Sequence, residues 1–480
     1  MRSTRAALVV AAAIGPLAAV LTGACASLKS GSDRAADPGG DASGGAPSCT
    51  IAAPSDEMIV DDLSASEAGI YQLVAGAWIS TTPETDRFFV VTQDAPPAVD
   101  FIAYQVDLAA GTSVTTMLGP GSPVLPGTTG LALLDVEPTA TGSVALLAES
   151  TGPGSLPGPT GSVYLVPIPS DFGATAPVQQ VAGALGTPQA LGSGTLAAPG
   201  SAKSLWAIAF DELGGPALTI GAGEEADAAR PQITWQGATA SAQSAYTLRG
   251  ASLMDVAGTI LLFAPGQSGQ GSTAFVAPDD FVDAGTQAPV GGGFVLAARP
   301  STADPTRVLV FGVEASASAD AGDGSTTVWS GAVTASQAAA LAIGSPLLVQ
   351  GGVVSPGELP LAGASHAWSG DDLALLGAPS DGSGGLELLW LASDGHVAGS
   401  GKVVTGAVKA SGVQFGARNG ESGATLYVTW IDSAPLAGGG SYDRVHAAKV
   451  TCGPVSAGGP GDGATDVTTD TSISGTATLE

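Results

Sequence analysis

Seven times along this chain, two short apolar runs recur as a pair, bounded by clusters of Gly, Pro, Asp and Ser. The pairs are residues 87–92 with 101–106, 143–148 with 162–166, 204–210 with 233–235, 259–264 with 273–277, 307–313 with 326–333, 372–376 with 386–392, and 425–431 with 444–450. The runs are short and dense in Val, Ile, Leu and aromatic residues, which is the pattern of β-strands joined by turns. Their leading residues Phe88, Val144, Leu205, Ile260, Val308, Leu373 and Leu426 follow one another at 56, 61, 55, 48, 65 and 53 positions, about 56 on average.

Further short runs precede some pairs, at 131–136, 294–298 and 413–417, and another follows at 403–406, giving four strands per unit. Four strands at this period define an all-β fold, a β-propeller, with seven blades by this count; six or eight also fit, because the loops differ in length. A β-sandwich array is the competing arrangement and predicts chain ends far apart. The strands are almost continuously apolar rather than alternating, as expected where both faces are covered. Small residues within them, such as Ala145 and Ala374, suit crowding near an axis. With 70 Gly and 33 Pro among 480 residues, the chain favours turns over long helices, and only 64–74 and 334–342 read as helical. Trp78, Trp206, Trp235, Trp329, Trp368, Trp390 and Trp430 fall about one per unit and read as packing between blades, or as a ring of ligand-stacking faces.

At the amino terminus, Arg2 and Arg5 precede an uncharged apolar run, 6–21, which ends in Thr22, Gly23, Ala24 and Cys25. This is the pattern of a secretory signal. Gly15 and Pro16 interrupt a run already shorter than the roughly 20 residues of a membrane span. Gly23 and Ala24 before Cys25 resemble the lipobox of bacterial lipoproteins, with Leu21 one place further out than that family's Leu and Thr22 in its place. The resemblance implies removal of residues 1–24 and acylation of Cys25, which anchors the chain to a membrane. Ala26 implies sorting to the outer membrane of a bacterial cell envelope. Residues 25–48 hold one large apolar side chain, Leu28, and read as a flexible tether to a propeller domain at 49–452. The Gly-, Thr- and Asp-rich tail, 453–480, reads as disordered.

Of three cysteines, lipidation of Cys25 leaves Cys49 and Cys452, one at each edge of the repeats. In an oxidising compartment they are expected to form a disulfide that joins the two ends of the ring; two separate thiols are the alternative.

Chemistry is sparser. There are 43 Asp and Glu against 15 Lys and Arg, a formal charge of −28, which excludes nucleic acid as a partner. No G-x-S-x-G elbow, phosphate loop, H-E-x-x-H or C-x-x-C occurs. His366, His396 and His446 fall in separate units and read as independent. No cofactor is expected. Calcium is the ion best suited to the acidic turns at Glu224, Glu225 and Asp227, at Asp279, Asp280 and Asp283, and at Asp320 and Asp323, but none keeps the alternating ligand order of a calcium loop. The expected function is therefore a membrane-anchored binding or scaffolding module for a protein or glycan ligand. An exported glycan hydrolase or lyase is the alternative, and two facing acids in a central pocket would mark it.

Overall fold

The computed structural model describes residues 48–53, 56–62, 74–81, 88–94, 101–117, 131–139, 142–149, 162–169, 179–182, 190–197, 204–212, 215–223, 232–236, 248–265, 271–283, 285–290, 294–315, 326–341, 350–354, 364–379, 384–392, 397–418, 424–435 and 439–453. The expected signal, Cys25, the tether and the tail beyond Gly453 lie outside these residues. So do His396, Glu224, Glu225, Asp227, Asp320, Asp323 and all of the helix expected over 64–74 except Val74, which begins the strand Val74–Thr81. No described helix is long and apolar enough to cross a membrane.

Seven antiparallel sheets follow one another along the chain. Blades 1 to 6 span 74–117, 131–182, 190–236, 252–289, 294–354 and 365–404, each a four-stranded meander in chain order. The first strand of each blade is innermost, and neighbouring blades meet there. Blade 7 takes three strands from the carboxy-terminal end, Val408–Arg418, Ala424–Pro435 and Ser441–Cys452. Two amino-terminal strands, Cys49–Thr50 and Glu57–Asp62, complete its outer edge by pairing with opposite ends of Ser441–Cys452. The fold is a seven-bladed β-propeller closed by both ends of the chain, and Cys49 and Cys452 are joined by a disulfide.

Why the strands read as continuously apolar is visible in how their faces divide. In Thr259–Ala264, Ile260, Leu262 and Ala264 face blade 3, while Leu261 and Phe263 face blade 5. Successive side chains point to opposite sides of a strand, so a sheet packed between two others needs apolar residues at every position. The core is thus divided into seven clusters, one at each blade junction, from Val91 with Leu147 between blades 1 and 2 round to Val90 with Ile431 between blades 7 and 1.

Most of the expected strand pairs form, but the third does not. Ser204–Glu212 pairs with Gly215–Gly223, and Gln232–Gln236, expected as the direct partner, is the outermost strand. The intervening strand, GPALTIGAG, carries three Gly and one Pro and so imitates a turn. Its glycine is a packing requirement: a Cβ at Gly221 would lie 2.2 Å from Cζ2 of Trp206. Trp206, Trp235, Trp390 and Trp430 are buried between blades, as the packing reading expects. The short helix Ala335–Leu341 is set by a capping box, in which Gln337 N–H donates to Thr334 Oγ1 and Thr334 N–H donates to Gln337 Oε1.

The amino-terminal strand is wedged between two blades. Ser48 bridges Ser400 of blade 6, and Cys49 pairs with Cys452 of blade 7. Gly401 faces this strand, and a Cβ there would come within 2.3 Å of the Cys49 carbonyl oxygen. Gly401→Ala is expected to lift the strand and quicken reduction of the disulfide by dithiothreitol several-fold, measured by alkylation of the released thiols.

Candidate functional site: a polar pocket on the propeller axis

The innermost strands are the irregular ones. Register shifts interrupt the innermost strands of blades 1, 2, 3, 5 and 7. A bulge bends its strand and re-aims the side chains beside it. In Leu131–Thr139 the shift falls between Leu133 and Asp135. Leu134 packs over Gly194 of blade 3, where a Cβ would come within 2.8 Å of its Cδ1. Asp135 and Glu137 then line a pocket on the axis, while Val136 between them faces the blade 1 junction.

Opposite them stands Arg249. It precedes blade 4 in a four-residue turn in which Ala251 N–H donates to the Leu248 carbonyl at 2.9 Å. Gly250 occupies the third position with φ +79°, a type II turn that favours glycine there. The turn is tied to blade 3 by Leu248 N–H donating to Ser193 Oγ at 2.6 Å. It also reaches past blade 5 to blade 6, where a Cβ on Gly250 would sit 1.8 Å from the Ala364 carbonyl oxygen. The turn therefore spans the axis and carries Arg249 into the pocket. Thr195 of blade 3, Ser365 and His366 of blade 6 and Gln414 of blade 7 complete the polar lining of a pocket of about 40 Å³ that opens to solvent.

The groups have different duties. Asp135 Oδ2 accepts the Leu196 N–H at 2.7 Å and Oδ1 accepts the Val136 N–H at 2.9 Å, so this carboxyl braces blade 2 against blade 3. Burial raises its pKa to about 6, against the lowering effect of those hydrogen bonds and of Arg249. Burial, and then the charge of Asp135, hold Glu137 well above the usual carboxylate range. Arg249 is lowered by burial to about 10, with Asp135 opposing, and stays a cation at neutral pH. Burial lowers His366 to about 4, leaving a neutral imidazole whose buried Nδ1 has no hydrogen-bond partner among the described residues.

The signs of these shifts oppose one another. Asp135 binds its proton more tightly in the folded state, so its contribution is present below pH 3.8 and is lost as pH rises through about 6. His366 binds its proton less tightly when folded, so its contribution is present above pH 6.5 and is lost as pH falls through about 4. Between those limits the two offset each other. Glu137 adds an uncompensated loss on the alkaline side. Glu137→Gln is therefore expected to raise stability at pH 8 more than at pH 5; urea melts at both values would show it, and an equal change at both would contradict it.

The other charged cluster belongs to blade closure. His446 Nδ1 is 2.8 Å from Glu57 Oε1 of the amino-terminal strand, and its Nε2 is 3.1 Å from Asp432 Oδ1. The ring stacks on Trp430 at 4.9 Å between centroids and 8° between planes. Burial raises Asp432, but hydrogen bonds from Arg444 and His446 outweigh it and hold the carboxyl below its ordinary value. His366 and His446 thus serve separate places. Asp279, Asp280 and Asp283 lie in the turn after Thr273–Pro278, where Asp280 Oδ1 accepts the Val282 N–H at 3.1 Å. Among the described residues no three acids, His or Cys group as a metal set.

No sequence motif marks Asp135, Glu137 or Arg249. The available signal was the pair of acids inside LALLDVEPT, because a strand covered on both faces has no solvent to receive a charge.

The class defined by this geometry is a disulfide-closed seven-bladed β-propeller with a mixed-charge pocket on its axis. No family model and no curated protein matches the sequence. Among solved structures it is similar to a protein of unknown function from Dyadobacter fermentans, at 10% identity and TM-score 0.39, covering 83% of this chain and 98% of the other. It is also similar to a neuraminidase-like protein of a flat-faced bat strain, at 9% and 0.38 over 85% and 95% of the two chains. The β-propeller domain of the Trilobed protease from Pyrococcus furiosus gives 8% and 0.37 over 79% and 96%.

Proposed function

We propose that this chain is an exported, lipid-anchored binding module, displayed from the outer membrane of a bacterial envelope, that takes a small polar ligand in its axial pocket. The observation that carries the reading is the convergence of Asp135, Glu137, Thr195, Arg249, His366 and Gln414, drawn from blades 2, 3, 4, 6 and 7, on one void in an otherwise aliphatic ring. Buried polar groups are costly unless satisfied, and a pocket with a few convergent polar groups is the usual form of a ligand site. The outer loop faces remain available to a protein or glycan partner.

The anchor rests on Cys25 and the apolar run before it. Mass spectrometry of the detergent-extracted protein is expected to find an amino-terminal peptide beginning at acylated Cys25; an unmodified Cys25 would remove the anchor from the proposal. The pocket is tested by thermal-shift screening of small polar solutes against the full chain and its His366→Phe variant, which removes a ring nitrogen from the lining. Stabilisation of the former and not the latter is expected.

A second reading has its own observation. A carboxyl held well above the usual carboxylate range, Glu137, beside one that is mostly ionised at neutral pH, Asp135, resembles the acid-and-base pairing of glycoside hydrolases. Against it, both acids stand two residues apart on one strand, about 7 Å of backbone, and Asp135 has both oxygens committed to backbone N–H groups. Release of reducing sugar by the protein but not by Glu137→Gln would favour the enzyme.

A further inference from the structure

We infer that the axial pocket selects a small organic cation bearing a primary ammonium group, and that Glu137 is the residue that receives it. This rests on the pocket being the ligand site, and it deepens that reading to a chemical class.

Two carboxyls and one guanidinium line the void, so the acids outnumber the fixed cation by one. Which acid is surplus follows from the hydrogen bonds. Asp135 is occupied by the Leu196 and Val136 N–H groups and lies in the field of Arg249. Glu137 lines the same wall, and no hydrogen bond is assigned to its carboxyl among the described residues; its electrostatic neighbour is another acid. The carboxyl left without a hydrogen-bond partner is therefore the one open to a cation.

The remaining lining favours the same donor-bearing ligand. His366 presents a buried Nδ1 with no hydrogen-bond partner, on an imidazole held neutral by burial; in the Nε2–H tautomer that nitrogen accepts a hydrogen bond, with no positive charge to repel a cation. The side-chain carbonyl of Gln414 supplies another acceptor at the pocket wall. A primary ammonium carries three N–H donors, which matches a carboxylate, an imidazole nitrogen and an amide oxygen. An anionic ligand would have to compete with Asp135 for Arg249 while facing Glu137. The formal charge of −28 over the chain also draws cations toward the molecule and repels anions.

The exchange balances in protons and charge. Empty, Glu137 favours its protonated form, because burial and then the charge of Asp135 oppose its ionisation. When R–NH3+ enters, the Glu137 carboxyl gives that proton to solvent and the carboxylate accepts hydrogen bonds from the ammonium. The pocket gains one positive and loses one positive charge, so its net charge is unchanged. No covalent bond forms or breaks apart from the O–H of Glu137.

The test compares glucosamine, glucose and glucuronate, three rings of equal size that differ in charge, with ethanolamine as a smaller amine, by titration calorimetry on the full chain. Glucosamine or ethanolamine is expected to bind at least tenfold tighter than glucose or glucuronate. Repeating the titration in buffers of different ionisation enthalpy should show net proton release on binding, with affinity rising as pH rises through the range in which Glu137 is protonated. Glu137→Gln should lose that pH dependence and at least tenfold in affinity, and Glu137→Asp should recover part of both. Circular dichroism would confirm that each variant keeps its strand content. Preferential binding of glucose or glucuronate, or amine binding unaltered in Glu137→Gln, would overturn the inference while leaving the pocket a ligand site. Failure of all four probes to bind in the millimolar range would overturn both.

Discussion

Cys49→Ser is expected to destabilise the protein by about 4–6 kcal/mol, with Cys452→Ser giving the same value and the double variant no further loss. The estimate comes from the entropy that the bridge removes from the unfolded chain, which grows with the logarithm of the closed loop, here with a sequence separation of 403. In the folded ring the two strands are already partners: Cys49 faces Cys452 and Thr50 faces Thr451 in antiparallel register. Without it, a two-residue strand, Cys49–Thr50, and the six-residue Glu57–Asp62 must hold blade 7 through hydrogen bonds and the Glu57–His446 contact. Urea melts with and without dithiothreitol would read the stability. Hydrogen exchange should show that residues 49–62 lose protection first, since a strand held at one edge opens below the global unfolding energy. Equal stability of the oxidised and reduced protein would refute the expected role of the bridge.

The second large effect separates shape from hydrogen bonding in the core. Trp206 is 1% exposed and fills the junction between blades 2 and 3 with Leu146, Val163 and Phe210. Its indole lies over Gly221, and its Nε1–H has no partner among the described residues. Trp206→Ala is expected to cost about 3–5 kcal/mol, because a rigid junction leaves most of the vacated volume as a cavity. Trp206→Phe removes the unsatisfied donor along with one ring and is expected to cost less than about 1.5 kcal/mol, since the lost contacts are partly offset by the N–H no longer buried unpaired. Chemical denaturation of both variants checks this. A Phe variant as unstable as the Ala variant would mean that the indole N–H makes a bond that matters.

How much was legible in the sequence differs between the fold and the site. Paired runs such as RFFVVT with FIAYQV and DLALL with LELLWLA mark second and third strands, and the structure pairs them so in Phe88–Asp94 with Phe101–Asp107 and in Asp372–Gly377 with Leu386–Leu391. These central strands are covered on both faces, so burial writes itself into them residue by residue. Outermost strands such as Thr286–Pro289, TQAP, are short and exposed, and local composition does not distinguish them from loop. Gly215–Gly223 was hidden for a different reason: Gly221 answers to Trp206 across the sheet, a constraint that no neighbour in sequence reveals.

The sequence by itself determined the repeat and the all-β architecture, because both follow from local apolar patterning; it pointed to seven blades and to pairing of Cys49 with Cys452, and the structure decided both against six or eight blades and free thiols. Only the tertiary structure decided the pocket. Asp135, Arg249 and His366 lie more than 100 residues apart from one to the next and share no motif. They meet because a bulge at Leu134 turns Asp135 inward and a glycine turn at Gly250 carries Arg249 across the axis to blade 6. Ring closure converts positions in separate repeats into neighbours, and that proximity depends on the packing of all seven blade junctions at once.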